Sequence, residues 1–265
     1  MEDAKNFFNI VFFIIMSVIA ILSYIQARKT LFSPIKTEIF KVQIEEFKSV
    51  LAFFNKRNST DFDNDFDFHK IMELNALRMQ NEYVKLFFKD KITPSEKMLE
   101  FLETAGCGMI INQEQASKFF EVVTPETEAS KVPNKAVEEE ELTPAITLAK
   151  WNKFMLPGTE YTRKFHERME ELTKLAASPL LPKELTDLIY EFMGVIHENL
   201  GTVGKEVELA AKSMPEQFPT PREIVNFNPH WIWNKYNRSR KSTDEASAKI
   251  LTFVNQHLKI NEIMS

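Results

Sequence analysis

The chain has 265 residues, 44% hydrophobic and 27% charged, a globular balance that excludes a collagen-like repeat or a wholly disordered chain and allows one or two domains. Its formal charge of -5, from 33 basic and 38 acidic residues, supplies no global cationic field, so nucleic acid is disfavoured as a partner. Cys107 is the only cysteine, which excludes an intrachain disulfide and a multi-cysteine zinc site, and the six glycines leave little material for phosphate loops or primed hairpin turns.

Residues 7–25 read FFNIVFFIIMSVIAILSYI, 19 residues without a charge. As a helix rising about 1.5 Å per residue they cover roughly 28 Å, close to the hydrocarbon thickness of a bilayer. A cleaved signal peptide would want a basic start and small residues at a cleavage site; here the start is MEDAK and no such site follows. The segment therefore reads as a retained anchor, with residues 1–6 as a short extracytoplasmic terminus. Lys5 is the only basic residue before it, while Arg28, Lys29, Lys36 and Lys41 follow. By the positive-inside rule the remaining chain is expected in the cytoplasm, on the plasma (inner) membrane.

Ser33-Pro34 predicts a helix start, with Ser as N-cap and Pro at the first helical position. The helix is expected to run to about Asn58 with Phe40, Ile44, Phe47, Leu51 and Phe54 on one seam. A second helix, about Phe66 to Lys89, repeats the pattern with Met72, Ala76, Met79, Tyr83 and Leu86. The two seams suggest an antiparallel helical hairpin or a short coiled-coil pairing, within one chain or between two. Thr93-Pro94-Ser95-Glu96 reads as a capping box opening a shorter helix that ends near Gly106, and another helix is expected over 112–121. From 121 to 141 there are seven acidic residues, two lysines and two prolines, the composition of a solvated linker.

After the linker Thr143-Pro144 predicts a helix start. A helix from about Thr159 to Ala177 would carry Tyr161, Phe165, Met169, Leu172 and Ala176 on one face. The next aligns Leu185, Ile189, Phe192, Ile196, Val203 and Val207. Gly194, Gly201 and Gly204 fall inside that run and indicate a kink, a break or a close crossing. Thr220-Pro221-Arg222-Glu223 and Ser242-Thr243-Asp244-Glu245 read as capping boxes, the second opening a final helix to about Ile260. No stretch alternates convincingly at period two. The fold class is therefore all-α: a single N-terminal transmembrane helix followed by a cytoplasmic helical domain in two lobes, 26–120 and 144–265, joined by an acidic linker or loop at 121–143.

Chemistry is harder to find. Asp61, Asp63 and Asp65 have the spacing of the start of a calcium loop, with His69 nearby, but Phe66 stands where the turn needs Gly and Met72 where a bidentate carboxylate belongs. An acidic helix start accounts for them equally well. No two of the five histidines are four residues apart, and in His166-Glu167 and His197-Glu198 the adjacent side chains point about 100° apart on a helix. Cys107 lies between two glycines, where a nucleophile would need a base brought by the fold. No metal site, cofactor or catalytic residue is assigned.

The most specific surface candidate is NPHWIWNKYNRSRK, residues 228–241, in which Trp231, Trp233 and Tyr236 alternate with Lys235, Arg238, Arg240 and Lys241. Trp, Tyr and Arg dominate protein interfaces, and aromatic-basic segments also suit the surface of an anionic bilayer. Two tryptophans tying a loop to the core would give the same composition. The sequence thus points to a membrane-tethered interaction or scaffold protein held in the bilayer by residues 7–25, presenting this module to a protein partner or the membrane surface, with homo-oligomerisation left open. The alternative is a membrane-anchored, hydrolase-like enzyme whose site would gather several of Asp61, Asp63, His69, Cys107, His166 and His197.

Overall fold

The computed structural model describes residues 2–55, 57–111 and 143–258. The helix expected over 112–121 and the acidic stretch 121–141 lie outside the described residues, as does the end of the last helix beyond residue 258. What is described is predominantly helical, with one small sheet.

Helix α1 runs unbroken from Glu2 to Phe54, 53 residues. The expected start at Ser33 is therefore corrected: the backbone passes through Pro34 as helix. Pro34 removes one backbone donor, and the turns on either side keep the chain helical. Within α1, Phe7–Arg28 is long and apolar enough to cross a membrane and is not covered by the other described residues. Burial begins only at the far end, where Phe47, Val50, Phe53 and Phe54 enter the core while Phe40 remains 55% exposed.

Asn58 caps the short helix α2 (Ser59–Asp65), its side chain accepting from Thr60 and Asp61 while Asp61 accepts from the Asn58 N–H. Asp67 then turns the chain in the left-handed region, φ 59°, which Asp tolerates better than bulkier residues. Helix α3 (Phe68–Phe87) follows, with the expected Met72, Ala76, Met79 and Tyr83 buried. The expected antiparallel hairpin does not form: the end of α1 packs mainly on a C-terminal helix, and α3 packs mainly elsewhere. The α2 turn supplies the reason, because it separates the two long helices and presents Phe62, Phe66 and Phe68, all fully buried, between them.

Helix α4 (Glu96–Thr104) is capped by Ser95 rather than Thr93, two residues later than the sequence suggests. Strand β1 (Gly106–Ile110) comes next. Across the undescribed stretch, Thr143 caps α5 (Pro144–Trp151), with Pro at its first turn as expected. Strand β2 (Thr159–Thr162) pairs antiparallel with β1, from Gly106 opposite Thr162 to Ile110 opposite Thr159, with a bulge at Cys107. This sheet is the largest departure from the all-helical reading. It has only five and four residues to show a period-two pattern, and each strand abuts a helix with which its sequence merges. The helix expected from Thr159 accordingly begins after the strand, as α6 (Arg163–Ala176), with Phe165, Met169, Leu172 and Ala176 buried as expected.

Helix α7 (Lys183–Gln217, 35 residues) is the central post. Its buried face runs from Leu185 through Ile189, Phe192, Ile196, Val203 and Val207 to Met214, and α3, α6 and β2 pack against it. So do α9 (His230–Ser239) and α10 (Asp244–His257), which follow the short α8 (Pro221–Val225). The partner of the α1 end is α10, with α6 beside it. The capping box at Thr220 forms, the Thr220 N–H donating to Glu223 Oε2 at 3.0 Å. One hydrophobic cluster extends from Phe47 to Val254 and draws on residues from both sides of the undescribed stretch.

The three glycines of α7 separate by surroundings. Gly194 and Gly201 face open space, whereas Gly204 is buried against Thr159 of β2, so close that an added Cβ would meet the threonine hydroxyl. The close crossing is therefore at Gly204, and α7 continues through all three. Two substitutions three residues apart should act in opposite directions. Gly201→Ala is expected to raise stability by about 0.5–1 kcal/mol through helix propensity. Gly204→Ala is expected to lower it by about 1–3 kcal/mol by overpacking the α7–β2 contact. Denaturant titration of the two variants checks the pair; equal effects would contradict the crossing.

Candidate functional site

The aromatic-basic segment folds as α9, and the helix sorts its residues onto two faces. Ile232 and Tyr236 are fully buried. Trp231, Lys235 and Arg238 recur at intervals of four and three, so they share the other face. There Lys235 Nζ stands 4.7 Å from the Trp231 ring centre, a cation–π pair, and Arg238 is exposed. Trp233 is half-buried between them, stacked on Tyr236 with ring centres 5.1 Å apart and meeting His69 of α3 edge-on at 5.1 Å. Lys241, beyond the helix, pairs with Glu198 of α7. Of the seven residues singled out from sequence, Lys235 and Arg238 face outward and Trp231 lies half-buried at their edge, packed against the core with its indole N–H buried, while Tyr236 and Arg240 belong to the packing beneath.

Arg240 reaches inward to Asp63 of α2, Nη1 to Oδ2 at 3.0 Å, with the two side chains 15% and 6% exposed. The contact is an ion pair whose angle does not complete a hydrogen bond, and the Tyr236 hydroxyl is also buried without a hydrogen-bond partner. Burial pushes the Asp63 carboxyl up to about 6, against the downward pull of Arg240 and with an upward push from Asp244. Burial likewise raises the Tyr236 phenol, with Asp63 adding to the effect.

The remaining candidates scatter. Asp61 is the helix cap already described. Asp65 pairs with Arg57 and lies 3.6 Å from Arg168. His166 meets Glu170, four residues on, at 3.6 Å rather than its neighbour Glu167. Cys107 is exposed at the sheet bulge, and His197 rests near the Phe165 ring. Asp61, Asp63, His69, Cys107, His166 and His197 lie on five different elements. Among the described residues no group of three or more His, Cys, Asp or Glu is placed to hold a metal ion.

A cleft that the sequence did not indicate opens along the later turns of α3, with a volume of about 920 Å³, between that helix, α5 and the loop before β2. Its aromatic wall is Trp151 and Phe154, stacked at 4.5 Å, with the Trp151 N–H spent on the Ala211 carbonyl. Asn75 ties α3 to the cleft's edge by donating to the Glu160 carbonyl and accepting from the Glu160 N–H, at 2.9 and 3.0 Å. The available signal was the pair of asparagines, Asn75 and Asn81, interrupting an otherwise apolar buried face.

No family model matches the sequence, and comparison with curated proteins and with solved structures finds no match.

The Asp63–Arg240 pair yields a prediction with a definite sign. The native carboxyl titrates near 6 and the unfolded one near 3.8, so the folded state binds the extra proton and this group's contribution to stability falls as pH rises through that window. Arg240→Met leaves a buried carboxylate that can take up a proton in acid. Its cost is expected to be about 3 kcal/mol near pH 8 and markedly smaller near pH 5. Asp63→Asn instead removes the titrating carboxyl and strands a guanidinium that cannot lose its proton, so its cost should run the other way, larger near pH 5 than near pH 8. Urea denaturation of both variants at the two pH values checks this; parallel pH profiles would contradict it.

Proposed function

We propose that this protein is a membrane-anchored binding module: α1 crosses the bilayer once with its N-terminus outside, and the folded domain faces the cytoplasm of the inner (plasma) membrane, where the outer stripe of α9 docks a protein partner. The observation that carries this reading is the continuity of α1. An uncovered apolar stretch, Phe7–Arg28, passes without a break into the residues that enter the core at Phe47. The basic residues after the span, Arg28, Lys29, Lys36 and Lys41, support the cytoplasmic side. Confinement to the membrane raises the local concentration of the module, so a small docking stripe can suffice.

A protein partner suits the geometry better than lipid. From Arg28 to Phe47 the helix adds about 28 Å of axial rise, which favours holding the domain away from headgroups rather than laying α9 on them. Trp231 with Lys235 and Arg238 offers an aromatic anchor flanked by cations, a surface suited to an acidic, partly apolar partner.

One experiment on inverted and right-side-out vesicles carrying the full chain tests both parts. The exposed Cys107 should react with a membrane-impermeant maleimide only where the cytoplasmic side is outermost. In the same vesicles, a photo-reactive residue at exposed Asn234 should yield a discrete protein adduct that disappears with Lys235→Glu and Arg238→Glu. Labelling from the opposite side would overturn the orientation; adducts to lipid alone would overturn the docking.

A further inference from the structure

We propose that the cleft along α3 is a binding site for a small anionic molecule with a flat aromatic body and an N–H or O–H donor. It lies apart from the α9 stripe: α9 covers the first turn of α3 through Trp233 and His69, whereas the cleft takes α3 from Asn75 onward. The inference is therefore independent of the docking surface proposed above.

Three features specify the ligand. The first is the wall. Trp151 is 3% exposed and its indole N–H is already bonded, so it offers only a ring. Phe154, partly buried, continues that stack with the ring planes 22° apart. A planar apolar body packing on Phe154 extends this arrangement.

The second is an acceptor lacking its donor. Asn81 is 8% exposed, lines the cleft, and its Oδ1 has no hydrogen-bond partner. A buried carbonyl left unpaired costs about 1–3 kcal/mol, and a ligand that donates to it recovers that cost. Asn75, six residues earlier, is fully engaged with Glu160 and Ile71. Among the cleft's lining residues the unpaired buried acceptor is that of Asn81, since the other unpaired atom, Arg78 Nε, is a donor facing Glu160.

The third is charge. Arg78 is turned toward Glu160, Nε to Oε1 at 2.6 Å, and bonds the Leu102 carbonyl. Lys85 holds Glu82 at 2.7 Å with most of its length exposed. Lys153 adds an exposed cation on the opposite wall. Basic side chains outnumber carboxylates around the cleft in a chain whose overall charge is negative, which favours an anion over a cation there. The volume, about 920 Å³, is at the upper end of ordinary small-ligand cavities.

Indole-3-acetate carries all three elements and serves as the probe, with neutral indole-3-acetamide and hexaglutamate as comparisons. Calorimetric titration uses the full chain in phosphatidylcholine nanodiscs, with empty nanodiscs subtracted. Saturable binding of indole-3-acetate is expected, with the amide weaker. Lys85→Glu with Lys153→Glu, both at exposed positions, should weaken it about tenfold. Asn81→Leu should weaken it about fivefold while leaving the thermal midpoint no lower, because it removes a buried unpaired acceptor. Absence of saturable binding, equal binding of the amide, or insensitivity to all three substitutions would overturn the proposal. Tighter binding of hexaglutamate would overturn the small-molecule class in favour of an acidic peptide.

Discussion

The fold depends on the burial of one face of α7. A helix of 35 residues that kept this stripe in water would expose Leu185, Ile189, Phe192, Ile196, Leu200, Val203 and Val207, all 0% exposed in the fold. Each such side chain contributes about 1.5–3 kcal/mol on burial, and α3, α6, α9, α10 and β2 pack around the helix to cover them. Phe192 shows how. It meets Phe54 from α1 edge-on at 5.0 Å and Phe62 from α2 at 4.9 Å, joining the far end of the long α1 helix to the centre of the domain. The apolar span and the core are therefore mechanically one object.

Polar groups set the register that burial alone leaves loose. Two buried asparagines do equivalent work: Asn75 clamps the backbone of Glu160, and Asn199 clamps that of Lys241 through both its amide groups, at 2.9 and 2.8 Å. Each reproduces a two-bond β-bridge where no strand lies alongside. Near the second clamp the chain closes on itself. Asp244 accepts the Ser59 N–H at 2.7 Å, Ser59 and Ser242 share a bond at 2.9 Å, and Arg240 pairs with Asp63. Residues 240–244 thus cap α2 from a distance of more than 170 positions in sequence, and that closure turns Tyr236 and Arg240 inward while Lys235 and Arg238 face out.

What could be read from the chain follows from range. The apolar span, the stripes of α3, α6 and α7, and the caps at Thr143 and Thr220 depend on residues within a turn or two of one another, and the structure has them. The box expected at Ser242 does not form: the Ser242 hydroxyl donates to Asp244 and shares a bond with Ser59, and Asp244 accepts the Ser59 N–H, a partner no local pattern can name. The β1–β2 pairing was hidden for the same reason, and its glycines read as helix terminators although Gly108 is there because Tyr161 lies where a Cβ would be. The seam of α1 was recognisable, but its partner was assigned to the next helix when it is α10. Of the site, the composition of α9 was visible and its division into two faces was not; the cleft needed α3 and α5 brought together.

The functional account joins these levels. In the proposed account a continuous helix couples the bilayer to a core that α7 organises, and that core fixes one aromatic-basic stripe on α9 and one cleft along the later turns of α3. Its central claim is that α1 is at once anchor and arm. Nitroxide scanning of positions 8–46, on a Cys107→Ser background in lipid vesicles, tests this directly. The account predicts that oxygen accessibility is highest near Ser17 and Val18, that a polar relaxation agent gains access beyond Arg28, and that side-chain mobility keeps a helical period from Thr37 until it is damped at Phe47. Access of the polar agent throughout Phe7–Ile25, or loss of the helical period before Phe47, would contradict it.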